Sequence, residues 1–370
     1  MDTALLAALV MIVSLLLSAA LVPASKVLAR RFGVMDGPGH RKVHTEPMPR
    51  LGGLAVFVSF TGAVVAGFVL APTLNAIPWF QARFESALAL LQEAYKVEGK
   101  LRGLLIGSTL AFGVGLADDV LGSRFHVAAK AIGQVVAAIA LIAADVRTSF
   151  LPFEWMNSAV TLLWVVGVTN AFNLLDNMDG LSAGVALVAS GVLLINAWFL
   201  GEFFICLILT AFMGSLLGFL VFNFNPASVF LGDCGSLFIG YVMGSLTLLE
   251  RYVSHASSTL FPVLMPALVL AVPLLDTATV MVIRIREKRP IYVGDSRHLS
   301  HRLVSLGLSP RASVLVIYLI TFCLGLGAVS LADATTVETL LVLLQAAGFV
   351  LLVLILLFFE RRSTPRRENA

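Results

Sequence analysis

The sequence predicts an all-α polytopic membrane protein, and three observations predict it. Of 370 residues, 59% are hydrophobic and only 13% are charged, whereas a soluble domain carries about 25% charged residues. The apolar residues come in blocks long enough to cross a bilayer, which takes about 20 residues each. Most carboxylates, amides and imidazoles stand at the ends of those blocks. A transmembrane barrel would show short alternating segments instead.

About eleven spans are expected, near residues 4–22, 51–72, 103–117, 128–145, 157–172, 180–200, 203–222, 235–250, 259–283, 312–331 and 338–359. The first has no positive residue before it and no small-residue cleavage site after it. It therefore reads as a retained helix rather than a signal peptide. The third looks short because Asp118 and Asp119 end it. Residues 81–102 mix charged with apolar positions and predict a short interfacial helix. Linkers, low-complexity tracts and repeats are absent, so one integral membrane domain is expected over residues 1–370, with a basic tail at 360–370. Cys206, Cys234 and Cys323 are too widely spaced for a disulfide framework or a zinc site.

Nineteen of the 25 Lys and Arg residues fall in one set of alternate loops and the C-terminal tail. The excess of positive charge on cytoplasmic loops then puts the N-terminus outside and the C-terminus in the cytoplasm. That assignment uses no acid, amide or histidine. It nevertheless places four polar clusters together on the cytoplasmic face, which predicts one composite site in a cleft there.

The first cluster is Asp118-Asp119. Adjacent helical residues point about 100° apart, so both reach one cavity only near a helix end. Such a pair suits Mg²⁺, which prefers oxygen ligands and usually binds with substrate phosphates; the plainer alternative is helix termination by solvated acids. Asn170, Asn173, Asp176 and Asp179 lie three residues apart and form one polar stripe if the segment is helical. Farther on, Pro226 ends a helix and Gly-Asp-Cys-Gly-Ser opens the next. Free N–H groups at that start could hold phosphate oxygens, with a cation mediating beside Asp233. Arg297 and His298 can donate to phosphate, whereas His298 with His301 is a weak zinc pattern. Lys42 and Arg50 suit lipid headgroups or phosphate, or serve only topology. His126 and Lys130 follow the acidic pair closely enough to face it. Asp276 lies inside the ninth span and needs a partner, structural or catalytic.

Together these groups describe a magnesium-containing site with cationic phosphate binders, at the depth of a lipid phosphate. That combination suits phosphoryl transfer between a soluble nucleotide and a membrane lipid, with no nucleic acid as partner. No P-loop occurs, so an ATP-driven machine is not indicated. A secondary transporter would instead place polar residues near the midplane in matching repeats.

Five motifs occur in one order: KVHTEPMPRLGG, GLADDVLG, NAFNLLDNMDGLSAG, FNFNPASVFLGDCGSL and DSRHLSHRLVSLGLS. In that order, over residues 20 to about 310, the chain resembles the polyprenyl-phosphate N-acetylhexosamine-1-phosphate transferases, of the glycosyltransferase family 4 type. It is more similar to the undecaprenyl-phosphate GlcNAc-1-phosphate transferases than to the phospho-MurNAc-pentapeptide translocases, which carry consecutive histidines where this chain has His298-Leu299-Ser300-His301. The resemblance implies that UDP-HexNAc and polyprenyl phosphate give polyprenyl-diphosphate-HexNAc and UMP, with Mg²⁺ or a substituting Mn²⁺. That reaction initiates cell-envelope glycans such as lipopolysaccharide or teichoic acid, in the bacterial cytoplasmic membrane; a homodimer is compatible with it. By motif match, Asp118, Asp119, Asp176, Asp179 and His298 would be catalytic, with Asp179 toward the uridine. Asn173 and Asp233 would hold the metal. Asn223 and Phe230 would contact uracil, and Asn170, Arg297, His301 and Lys42 would complete the binding site. Two departures, Asn177 for the first Gly of Asp-Gly-x-Asp-Gly and Ser300 for a middle His, bear on sugar specificity.

Overall fold

The computed structural model describes residues 2–37, 47–84, 98–252, 261–289, 297–332 and 334–363. They belong to two compact units, Met1–Arg251 and Tyr252–Ala370. The first contains α1 (Asp2–Phe32), α2 (Gly52–Asn75), α3 (Glu98–Leu121), α4 (Val127–Ala143), α5 (Glu154–Leu175), α6 (Leu181–Phe199), α7 (Phe203–Asn223) and α8 (Gly232–Leu249). Helices suit these apolar runs because each satisfies its own backbone polar groups where no water can. A two-residue antiparallel ladder joins β1 (Met35–Asp36) to β2 (Met48–Pro49), with Met35 opposite Pro49.

Helix α8 is the hub of this unit. It packs against α2, α3, α5 and α6, and apart from Asp233 its residues from Gly232 to Thr247 are buried. Lipid tails are as apolar as leucine, so helices associate in a bilayer through close packing and polar contacts, with small residues at the interfaces. The glycines of α8 meet that need. A methyl group at Gly240 would lie 2.6 Å from the Thr169 Cα of α5, and one at Gly244 would lie 3.4 Å from the Val168 Cβ. Gly53 of α2 rests on the backbone of Gly235, and Gly115 of α3 rests on the Asp233–Cys234 peptide. The last two contacts bring α2 and α3 to the first turn of α8, where the polar residues stand.

The second unit contains a 3₁₀ turn (Phe261–Leu264), α9 (Met265–Val269), α10 (Ala271–Arg286), α11 (Leu299–Ser305), α12 (Pro310–Val329) and α13 (Thr336–Ser363). Helix α12 packs on α9, α10, α11 and α13. Its start follows from sequence: Pro310 is in the first turn, and the Ser309 hydroxyl accepts from the Ala312 N–H at 3.2 Å.

Among the described residues, eight helices are long and apolar enough to cross a membrane: α1, α2, α3, α5, α6, α7, α8 and α12. Helix α4 and the apolar part of α13 are shorter. Three expectations change. The third span does not end before the acidic pair, because α3 runs on to Leu121 and its acids find partners. The ninth expected span is not continuous: residues 253–260 lie outside the described residues, and the chain breaks at Leu270 between α9 and α10. Pro273 explains the break, since it offers no N–H to the carbonyl of Val269 and its ring crowds that carbonyl. Of the expected interfacial helix, residues 78–84 are helical, 85–97 lie outside the described residues, and α3 already begins at Glu98.

Close packing at Gly240 and open space at Gly167 predict different outcomes for two changes of glycine to alanine. Gly240→Ala should destabilise by about 1–3 kcal/mol through overpacking against Thr169. Gly167→Ala in α5, where the added methyl meets nothing within 4 Å, should be neutral or stabilise by about 0.4–1 kcal/mol. Thermal unfolding in detergent distinguishes them, and equal effects would remove the packing role of Gly240.

Candidate active site

The site of the first unit is assembled from ends of helices. The segment before α2 is zipped to the segment before α8: Phe230 N–H donates to Pro49 O at 2.8 Å, Gly52 N–H to Phe230 O at 2.9 Å, and Gly53 N–H to Leu231 O at 2.8 Å. Gly232 then turns the chain with φ +75°. A methyl there would lie 2.5 Å from Arg50 O and 2.7 Å from Asp119 Oδ2. Both the conformation and the space require glycine.

Asp119 fills the position that this turn creates. Its side chain is fully buried. Oδ1 accepts from the Asp233 N–H at 2.9 Å and Oδ2 from the Cys234 N–H at 2.8 Å. A helix leaves its first N–H groups unpaired, and a carboxylate there also meets the positive end of the helix dipole. The N–H groups expected to hold phosphate are therefore already engaged at Asp233 and Cys234. Asp119, expected as a catalytic group, also anchors the start of α8.

Two cations bind the carboxylates together. Arg50 Nε lies 3.2 Å from Asp119 Oδ1, and its Nη2 lies 3.1 Å from Asp233 Oδ2. Burial alone would lower the Arg50 pKa, but the charges of Asp233 and Asp119 outweigh it and hold the guanidinium above its ordinary value. From α4, Lys130 Nζ reaches Asp118 Oδ2 at 2.7 Å, Asn173 Oδ1 at 3.2 Å and Asp233 Oδ2 at 3.5 Å. Asn173 donates to Asp233 Oδ1 at 2.7 Å and to Ser236 Oγ at 2.8 Å. The side chains of Asp118, Lys130 and Asp233 each keep 19% exposure, so they face the open side of the cluster while Asp119 supports it from beneath.

The expected polar stripe divides. Helix α5 ends at Leu175, leaving Asp176 at its C-cap and Asp179 in the following turn. Asp179 Oδ2 accepts from Asn225 Nδ2 and Ala227 N–H, both at 3.0 Å. Asn170 pairs instead with Gln134 of α4, donating at 2.7 Å and accepting at 3.3 Å, and also donates to Val166 O at 2.8 Å. Its amide joins α5 to α4. Asn223 likewise accepts from Gly180 N–H at 3.0 Å and donates to Val229 O at 2.9 Å. It shapes the loop beside the half-buried Phe230. Asp176 keeps an edge in solvent, yet the protein packed around it, and then the charge of Asp233, push its carboxyl from 3.8 up to about 8.

In the second unit, Asp276 of α10 meets the segment that opens α11. Its Oδ2 lies 2.7 Å from His298 Nδ1 and its Oδ1 accepts from the Leu299 N–H at 2.7 Å. Arg297 pairs with Glu287 at 2.6 Å. Burial, and then the neighbouring His298, hold the His301 pKa below its ordinary value. Lys42 lies outside the described residues.

Arg50 and Lys130 are more central to the cluster than their spacing in the sequence suggests. Lys130 is the sole charge of a helix whose one other polar side chain is Gln134, a signal that favours function. For Arg50 the signal was its place just before Gly52-Gly53. Among the described residues, no three His, Cys, Asp or Glu side chains converge on a metal position. The donors nonetheless fit Mg²⁺, which binds through one or two carboxylates plus substrate phosphates rather than a protein cage. Asp233 Oδ2 already attracts two cations, and Asp118 and Asn173 add hard oxygens beside it.

Residues 101–250 match the family model described as Glycosyl transferase family 4. The chain is 36% identical over 335 residues to a probable undecaprenyl-phosphate N-acetylglucosaminyl 1-phosphate transferase of Bacillus subtilis, covering 88% of this chain and 84% of that protein. It is 30% identical over 348 residues to a decaprenyl-phosphate N-acetylglucosaminephosphotransferase of Mycobacterium tuberculosis, covering 87% and 81%. A phospho-N-acetylmuramoyl-pentapeptide-transferase of Bacillus subtilis matches at 31% over 199 residues, which is 49% of this chain and 61% of that protein.

Two stability predictions follow from the geometry. Asp119→Asn leaves one acceptor for two N–H groups and an arginine, so it should destabilise by about 1–3 kcal/mol. Asp118→Asn, facing the open side, should change the melting temperature far less; equal losses would refute the anchoring role. For Asp176, the folded chain keeps a proton that the unfolded chain loses above about pH 4. Stability should therefore fall as pH rises from about 4 to about 8. Melting temperatures across that range test this, and a slope unchanged in Asp176→Asn would exclude Asp176 as its source.

Proposed function

Because the chain belongs to glycosyl transferase family 4, we propose that it transfers GlcNAc-1-phosphate from UDP-GlcNAc to undecaprenyl phosphate, releasing UMP. The observation that carries this reading is the cluster in which Lys130 and Arg50 hold Asp118, Asp119, Asn173 and Asp233 at the ends of apolar helices. Hard oxygens interleaved with cations are the groups that a diphosphate needs. The names of the relatives at 36% and 30% identity support GlcNAc as the sugar. The muramoyl-pentapeptide reading has weaker support, since that relative matches 49% of the chain.

The distribution of Lys and Arg supports a cytoplasmic position for the cluster, with the N-terminus outside, in the bacterial cytoplasmic membrane. Mg²⁺, or Mn²⁺ in its place, would neutralise charge on the diphosphate, held by Asp233 and Asn173 with Asp118 beside them. Lys130 and Arg50 orient phosphate oxygens and compensate their charge, which is most of what phosphoryl transfer asks of a protein. On the motif resemblance, Arg297 and His298 serve as phosphate donors. A phosphate monoester has a second pKa near 6, so the lipid phosphate is largely dianionic at neutral pH and needs little base. Its oxygen attacks the β-phosphorus of the UDP-sugar directly, and UMP leaves.

Purified protein with undecaprenyl phosphate, UDP-GlcNAc and Mg²⁺ should release UMP, and chelation should stop it. Absence of release with every UDP-HexNAc sinks the reading. Lys130→Met should lower kcat on the order of 10²-fold, as removal of one oriented donor does. A radiolabelled phosphoenzyme formed with UDP-sugar alone would overturn direct attack.

A further inference from the structure

Asp276 has no part in the transfer just described, yet it is a carboxylate in an apolar helix and its side chain is only 4% exposed. Such a group is tolerated where it has partners. Both of its oxygens are engaged at 2.7 Å, one with His298 Nδ1 and one with the Leu299 N–H. The His298 side chain is also 4% exposed, so little water competes for the contact. Arg297 and Arg302 line the same small cavity as Asp276, and Arg302 Nε donates to Arg297 O at 2.6 Å. The segment bearing His298 is thereby fastened at both ends.

We infer that Asp276 is a positioning residue that fixes the His298 imidazole with Nδ1–H on the carboxylate, leaving Nε2 as the ring atom for a substrate phosphate oxygen. This rests on the phosphoryl-transfer reading above, which makes His298 a phosphate ligand. The second ring nitrogen of a functional histidine is commonly oriented in this way by a carboxylate. With both ring nitrogens protonated, Nδ1–H donates to the carboxylate and Nε2–H is the donor left for the phosphate. The alternative is that Asp276 only anchors the start of α11 through Leu299.

A double-mutant cycle separates the two. Asn at position 276 has one acceptor oxygen and cannot serve both His298 and Leu299. Asp276→Asn should lower kcat/KM about 10- to 100-fold, the range for losing such a partner. In a His298→Gln background the same change should cost less than about two-fold, because its effect passes through His298. Additive losses would overturn the inference. Nitrogen NMR of ¹⁵N-histidine-labelled protein supplies a readout that needs no turnover. The neutral ring of His298 should carry its proton on Nδ1, and inorganic diphosphate should shift the Nε2 resonance in the wild-type protein but not in Asp276→Asn. An Nε2–H neutral ring, or no shift with diphosphate in the wild type, would overturn it. Failure of UMP release with the NMR result intact would sink the reaction assignment alone.

Discussion

The carboxylate of Asp119 is the contact on which the first unit's site depends. It closes the start of α8 by accepting from the Asp233 and Cys234 N–H groups, and it pairs with Arg50. Three segments distant in sequence thus meet on one side chain: the residues just before α2, the end of α3 and the start of α8. A buried carboxylate without such partners would be strongly disfavoured. With them, it fixes where Asp233 stands and in which direction α8 enters.

Charge balance then shapes the face above it. Asp118 and Asp233 share Lys130, and Asp233 and Asp119 share Arg50. Carboxylates this close repel, and desolvation makes the repulsion larger than in water. The two cations offset it, which lets the acids stay packed together. The same arrangement is ready for ligands of either sign. In the proposed reaction a divalent cation would replace a cationic side chain at Asp233, and the cation released would meet a phosphate.

The placement of these groups at helix ends has a backbone cause. Within a bilayer, irregular backbone is tolerated only where protein or water satisfies it. Helix termini at the membrane boundary supply N–H and C=O groups that need partners, and polar side chains there answer that need. Asn170, Asn223 and Asp179 each bond to backbone or to a neighbouring helix rather than standing free. Close glycine packing around α8 holds those termini within hydrogen-bond reach of one another.

The sequence by itself determined the class of fold, the membrane-spanning character and the motifs that identify the family. Apolar block length and charge scarcity follow directly from the solvent, and both are local properties of the chain. The choice of Asp118, Asn173, Asp176, Asp179 and Asp233 as residues of interest was also legible, because polar groups are scarce in such a chain. What each does was not legible. Only tertiary structure could tell the anchoring Asp119 from the open-faced Asp118, since adjacent residues on a helix differ by direction and not by type. It alone broke the ninth span at Leu270, turned Asn170 toward Gln134, and joined Asp276 to His298 across 22 residues. Those outcomes depend on distances between atoms far apart in sequence, which composition and spacing do not encode.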